Sequence, residues 1–202
     1  MVWTRRSLVT AAAGSVAVSA LRAWPGQADN TLYLEAFLFG FAAFEFCRTG
    51  AAATAPRAGQ PNRINQLVHR SRPLDWTARG VTTPNADTLY SSLRLDLSAG
   101  PVRIHLPHVT NRYFSASFLD CFTDNFINVR SDFDPKGVDL LVVSPETADA
   151  PSSGAKIIRS PTADCWMLAR IDPFGVDGLA IAQRLQQQIG VEPPSPLDVY
   201  LY

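Results

Sequence analysis

Lysine is nearly missing from this chain. Two, Lys136 and Lys156, stand against sixteen arginines, and the formal net charge is zero. The basic residues are dispersed without a run, so the dense positive footprint of a nucleic-acid binder is absent, and nucleic acid is excluded as an expected partner. Cysteine is scarce as well: Cys47, Cys121 and Cys165 form no CxxC, and their odd number permits at most one internal disulfide. Cys121 and Cys165 fall on predicted strands and are the pair able to meet, with buried free thiols as the other reading. Only three histidines occur. His105 and His108 lie three apart beside Pro107, where a strand points them to opposite faces and then ends, so no metal site is expected. GxSxG, P-loop, HExxH and dinucleotide fingerprints are all absent, and no cofactor is expected. Long hydrophobic runs are missing too. The best, Ser7 to Leu21, falls short of the roughly 20 strongly apolar residues a membrane span needs.

What is present begins at the N-terminus. Arg5-Arg6 precedes that weakly apolar stretch, and Gly26-Gln27-Ala28 supplies a small-x-small end. Together they predict a twin-arginine signal peptide over 1–28, cleaved after Ala28, and hence a periplasmic or secreted protein. An ordinary export signal or a retained anchor is the competing reading. Removal of Arg5, Arg6 and Arg22 leaves fifteen basic against eighteen acidic residues, a net charge of −3. The remainder, 29–202, fits a single domain able to bury roughly 70% of its unfolded surface.

Residues 31–48 predict a helix, with Leu34, Leu38, Phe41 and Glu45 at helical spacing and Tyr33, Phe37 and Phe44 widening the apolar face. Such a helix reads as core. Glu35 and Glu45 argue against a membrane span, and Gly50 suits the helix end. Residues 63–70 predict one or two helical turns. From Thr88 the period becomes two: Leu89, Leu93, Leu95 and Leu97 share one face, Thr88, Tyr90, Ser92, Arg94 and Asp96 the other. After the turn Ser98 to Pro101, residues 102–106 read as a hairpin partner. Residues 112–122 read as a central strand apolar on both faces. Shorter strands follow at 125–130, 138–144, 156–160 and 164–171. A helix from Asp177 to Ile189, with Gly190 as its cap, closes the pattern. The expectation is an α+β, mainly β fold: an antiparallel, jelly-roll-like β-sandwich with flanking N- and C-terminal helices.

The segments YLEAFLFGFAAFEFCRT, NQLVHRSRPLD, VTTPNADTLYSSLRLDLSAGPV, RYFSASFLDCFTDNF and IIRSPTADCWMLAR resemble, in that order, the bacterial domain of unknown function 1254 (DUF1254). The likeness runs from about Tyr33 to Gln188, and its most specific parts are PN-x-DTLYS and D-x-x-T-x-NF. It implies a sandwich with flanking helices, often secreted or membrane-anchored and often followed by a second sandwich domain. On that reading the second domain is absent or encoded separately, and the final VYLY is a docking edge for it. The resemblance supplies no chemistry.

Candidate site residues follow from the residues themselves. Asn85 and Asp87 sit in a turn entered by Pro84, and turn chemistry accounts for much of it. The functional alternative makes Asp87 an acid or base beside Tyr90, with Asn85 as an oriented donor. Asp120 falls in phase with Phe114 and Phe118 on an apolar face, where a carboxylate must be paired or have its pKa raised. It is either a proton donor or the anchor of a neighbouring loop. His69 and Arg70 lie in a polar loop, as proton-transfer and binding groups. Two readings stay open. One is an exported hydrolase or lyase acting on a small or carbohydrate-like molecule through Asp87, Asp120 and His69, with Asn85, Tyr90 and Arg70 binding it. The other is a non-catalytic envelope module that binds a small molecule or a partner sandwich domain. Convergence of these residues on one pocket would favour the enzyme.

Overall fold

The computed structural model describes residues 30–56, 63–78, 85–130, 135–148 and 154–194. Residues 1–28, where a signal peptide is expected, Thr82 to Pro84 and the tail beyond residue 194 lie outside the described residues. In chain order the elements are α1 (Asn30–Thr54), β1 (Leu67–His69), β2 (Leu89–Asp96), β3 (Val102–Leu106), β4 (Phe114–Asp120), β5 (Asn125–Val129), β6 (Val138–Val143), β7 (Lys156–Arg159), β8 (Asp164–Ile171), α2 (Gly178–Gln186) and β9 (Gly190–Glu192). The chain divides into two units, residues 1–46 and 47–202.

In the first unit the described residues are those of α1 up to Phe46. A helix this apolar reads as core, but Leu32, Tyr33, Phe37, Phe39 and Phe44 are all exposed. Besides the stripe of Tyr33, Phe37, Phe41 and Phe44, bulky groups also occur at Leu32 and Phe39, so the apolar surface is wider than a single stripe. At 25 residues and about 37 Å, α1 is long and apolar enough to cross a membrane by length and composition alone.

The second unit is built on alternation. In β2 the odd residues Leu89, Ser91, Leu93 and Leu95 are buried on one side, while Tyr90, Ser92, Arg94 and Asp96 take the other. The strand joins a five-stranded sheet of order β1-β2-β8-β4-β5, antiparallel throughout. A second sheet has order β7-β6-β3-β9, with β6 and β7 parallel. Leu89, Leu93, Phe118 and Met167 of the first sheet share one buried cluster with Val102, Ile104, Leu106, Leu140 and Val142 of the second. Two sheets closing on one core make a β-sandwich, and each fully buried aliphatic side chain contributes about 1.5–3 kcal/mol.

Several local expectations give way to tertiary pairing. Residues 63–70 form no helical turns but supply β1, because Leu67 packs against the core and Leu67 to His69 find partners along β2. β3 is no hairpin partner of β2: both edges of β2 are taken by β1 and β8, so the chain crosses to the other sheet through Gly100 at φ 135°. Gly190 does not cap α2, which stops at Gln186 with Gln187 still right-handed. It opens β9, where a Cβ would come within 3.3 Å of the His105 side chain. Gly50 does not end α1 either; the helix continues to Thr54. β4 is not apolar on both faces: its outer face carries Ser115 and Ser117 beside Leu119.

Candidate functional site

The stretch Asn85 to Asp87 shows how its residues divide the work. Asn85 Oδ1 accepts the Asp87 backbone N–H at 2.7 Å, an Asx turn that starts β2. Asp87 itself is exposed, and among the described residues its carboxylate accepts no hydrogen bond. Asn85 makes the turn.

Tyr90 follows on the outer face of the five-stranded sheet. Register places it opposite Arg170 of β8, whose guanidinium carbon lies 5.5 Å from the centre of the Tyr90 ring. Ser115 of β4 flanks Arg170 on its other side. In the adjacent row Arg170 Nη1 reaches Ser117 Oγ at 3.5 Å, and Tyr113 and Ser115 share a hydroxyl contact of 2.8 Å. Further along the same face Arg94 stacks on Trp166 at 4.2 Å and donates to Thr49 Oγ1, while Trp166 Nε1 donates to Ser92 Oγ.

His69 is elsewhere. Its strand partner is Ser91, on the core side of β2, and His69 Nδ1 lies 2.8 Å from Ser91 Oγ. Gln186 Nε2 donates to Ser91 Oγ at 3.1 Å and to the carbonyls of Tyr90 at 3.1 Å and Arg70 at 3.3 Å. A hydroxyl has one donor and two acceptor sites, so Ser91 Oγ accepts from Gln186 and still shares a hydrogen bond with His69 Nδ1, whose direction follows the imidazole tautomer. Burial of the ring lowers the His69 pKa and so favours the neutral imidazole. A serine and a histidine in contact suggest nucleophile and base. Ser91, however, is fully buried and already accepts from Gln186. The trio ties β1, β2 and α2 together. Arg70 joins it through its main chain, donating its N–H to the Tyr90 carbonyl, while its side chain is exposed.

Asp120 lies at the other end of β8, opposite Cys165, about 17 Å along the strand from Arg170. It is almost wholly buried. Its Oδ1 accepts the backbone N–H groups of Phe122 at 2.8 Å and Asp124 at 3.0 Å. That clamps the β4–β5 turn, in which Thr123 adopts φ 64°.

The candidates therefore occupy separate places: Asn85 and Asp87 before β2, Tyr90 on the outer face, His69 on the core side, Asp120 at the far end. Sequence reasoning missed Arg170, Ser115, Ser117, Ser91 and Gln186. The signal for the first three was a period of two through 113–119 and 164–171. Gln186 had no such signal, because its partners lie across the fold. His105 pairs with Asp139 across β3 and β6, Nδ1 to Oδ1 2.8 Å. The three cysteines are free thiols, Cys47 exposed and Cys165 buried; no Cys121–Cys165 bridge forms.

Residues 64–193 match the model of the family described as "Protein of unknown function (DUF1254)". The chain belongs to this family. The matched stretch runs from just before β1 to the end of β9, so it takes in both sheets and α2. Among solved structures the chain is similar to the VPA0106 protein of Vibrio parahaemolyticus, with 19% identity, a TM-score of 0.57, and coverage of 75% of this chain and 34% of that one. That likeness concerns the fold. The chain spans about a third of the length of the solved chain it matches. No curated protein matches it.

Proposed function

We propose that this DUF1254 chain is a non-catalytic binding module whose ligand face is the outer side of the five-stranded sheet, at the end where β2 begins. The observation that carries the reading is the separation of the titratable candidates. Proton transfer needs a donor and an acceptor within hydrogen-bond reach of one substrate atom. Here His69 is committed to Ser91 on the core side and Asp120 to a turn at the opposite end. Tyr90 and Asp87 remain near the mouth of β2, where they suit recognition. The greater length of the solved relative supports a further proposal, that a second domain is a natural partner of such a module.

The test uses the full chain and the variants Asp87→Asn and Asn85→Ala. Both are expected to keep the circular dichroism of the parent. Asp87→Asn should weaken whichever metabolite a thermal-shift screen finds to bind, with no product formed from it. Turnover of that metabolite, abolished by Asp87→Asn, would overturn the module reading. Loss of fold in both variants would return the two residues to turn chemistry alone.

A further inference from the structure

Among five arginines on or beside the strands of the second unit, Arg94, Arg103, Arg112, Arg159 and Arg170, the last stands apart. Arg94 lies on Trp166 and donates to Thr49. Arg112 donates to the carbonyls of Asp172 and Gly178, holding the loop that leads into α2. Arg159 donates to three main-chain carbonyls, those of Ser144, Pro145 and Thr147. Arg103 faces Glu192 at 3.8 Å. The first three of these guanidinium groups each secure a piece of the fold, and the fourth has an acidic neighbour.

Arg170 has no comparable duty. It is half-buried in β8, and its contacts among the described residues are the 3.5 Å bond to Ser117 and the Tyr90 ring. A guanidinium carries five N–H donors in a planar fork, and one long bond leaves that fork largely unused. Hydroxyls surround it. Ser115 and Ser117 are almost wholly buried, and Tyr113 OH meets Ser115 Oγ. Thr88, two residues before Tyr90, buries a hydroxyl oxygen without a partner among the described residues. Buried polar atoms are normally satisfied; a half-buried cationic fork with one long bond and an unpartnered hydroxyl at the same end of one strand pair leave donors open to an incoming acceptor.

We infer that Arg170, with Tyr90, Tyr113, Ser115 and Ser117, forms a subsite for the carboxylate of a small monocarboxylic acid with an aromatic or apolar body. The inference rests on the module reading and names its ligand. A carboxylate matches the guanidinium fork through two parallel bonds. The charge count favours it over phosphate, because Arg94 on the same face is already engaged and a single guanidinium balances a single negative charge. The body of the acid has a surface to lie on: Tyr113 is 52% exposed, and the Tyr90 ring forms the other side of Arg170.

The experiment titrates the full chain with benzoate, neutral benzamide and inorganic phosphate, by calorimetry and thermal shift. Benzoate should bind saturably, benzamide should not, and phosphate should bind more weakly than benzoate. Arg170→Gln should weaken benzoate by about tenfold or more. Arg170→Lys keeps the charge and the stem but loses the fork; an intermediate loss with an unchanged Tm is expected, and it serves if the glutamine variant fails to fold. Benzoate binding unchanged in Arg170→Gln, or in Arg170→Lys where that variant must serve, would overturn the subsite. So would phosphate as tight as benzoate, or no saturable benzoate binding. Binding of benzoate with turnover of a bound acid would keep the subsite and overturn the non-catalytic reading. Absence of benzoate binding, while Asp87→Asn still weakens a screened ligand, would keep the module and discard the carboxylate.

Discussion

At the scale of single residues, polar groups here are sorted by which side of β2 they occupy. Ser91, on the core side, holds His69 and Gln186 in a buried knot whose members satisfy one another. One residue earlier, Tyr90 stands on the opposite face beside Arg170. The knot makes stability depend on pH. Burial lowers the folded-state pKa of His69 below its ordinary 6.5, so the unfolded chain binds a proton more readily than the folded one. Above pH 6.5 neither state holds that proton and the His69 contribution is intact; as pH falls below 6.5 toward the folded pKa, stability is lost. Urea denaturation of the full chain between pH 8 and 5 should show this slope, and His69→Gln should flatten it. An unchanged slope in that variant would place the dependence on another group. Cys165 behaves as a buried thiol for the same reason: burial pushes its pKa up to about 12, which leaves Cys47 as the exposed one.

At the scale of elements, two glycines that look alike in sequence behave oppositely. Gly50 lies inside α1, where a Cβ would sit 3.6 Å from Arg94 Nη1, an ordinary contact. Gly50→Ala should therefore stabilise the chain by up to about 1 kcal/mol through helix propensity. Gly137, before β6, has φ +83° and would bring a Cβ within 2.4 Å of the Leu106 carbonyl oxygen. Gly137→Ala should destabilise by about 1–3 kcal/mol. Thermal melts of the two variants, expected to move in opposite directions, check both. Much of this level was legible beforehand. The leucine alternation of β2 and the turn residues between strands located most elements, because a strand with one buried face writes its period into the sequence. β1 and β9, three residues each, were not legible. Strands so short carry no period, and their partners β2 and β3 create them. The exposure of α1 was hidden for a related reason: an aromatic helix reads as core until its surroundings are seen, and Leu32, Tyr33 and Phe39 are open to solvent.

At the scale of the whole molecule, the Arg5-Arg6 pair leads to a proposal about where the fold does its work. If the chain leaves the cytoplasm by the twin-arginine route, Arg5→Lys with Arg6→Lys should hold it in the cytoplasm as folded protein. Cell fractionation checks this, and unimpaired export of the double variant would reassign the signal. The candidate site is the clearest case of what sequence could not decide. Asn85, Asp87, Tyr90, His69 and Asp120 stand out by residue type, but type says nothing of convergence. The sequence by itself determined the family, the sandwich class and the two-sided character of β2, since burial patterns and turn chemistry are local properties. Only the tertiary structure decided that His69 and Tyr90 face opposite ways, that Asp120 clamps a turn at the far end, and that Arg170 stands between Tyr90 and Ser115. Those outcomes depend on which strand lies beside which. Register between β2, β8 and β4 is set by closing two sheets over one core, and no single stretch of chain contains that information.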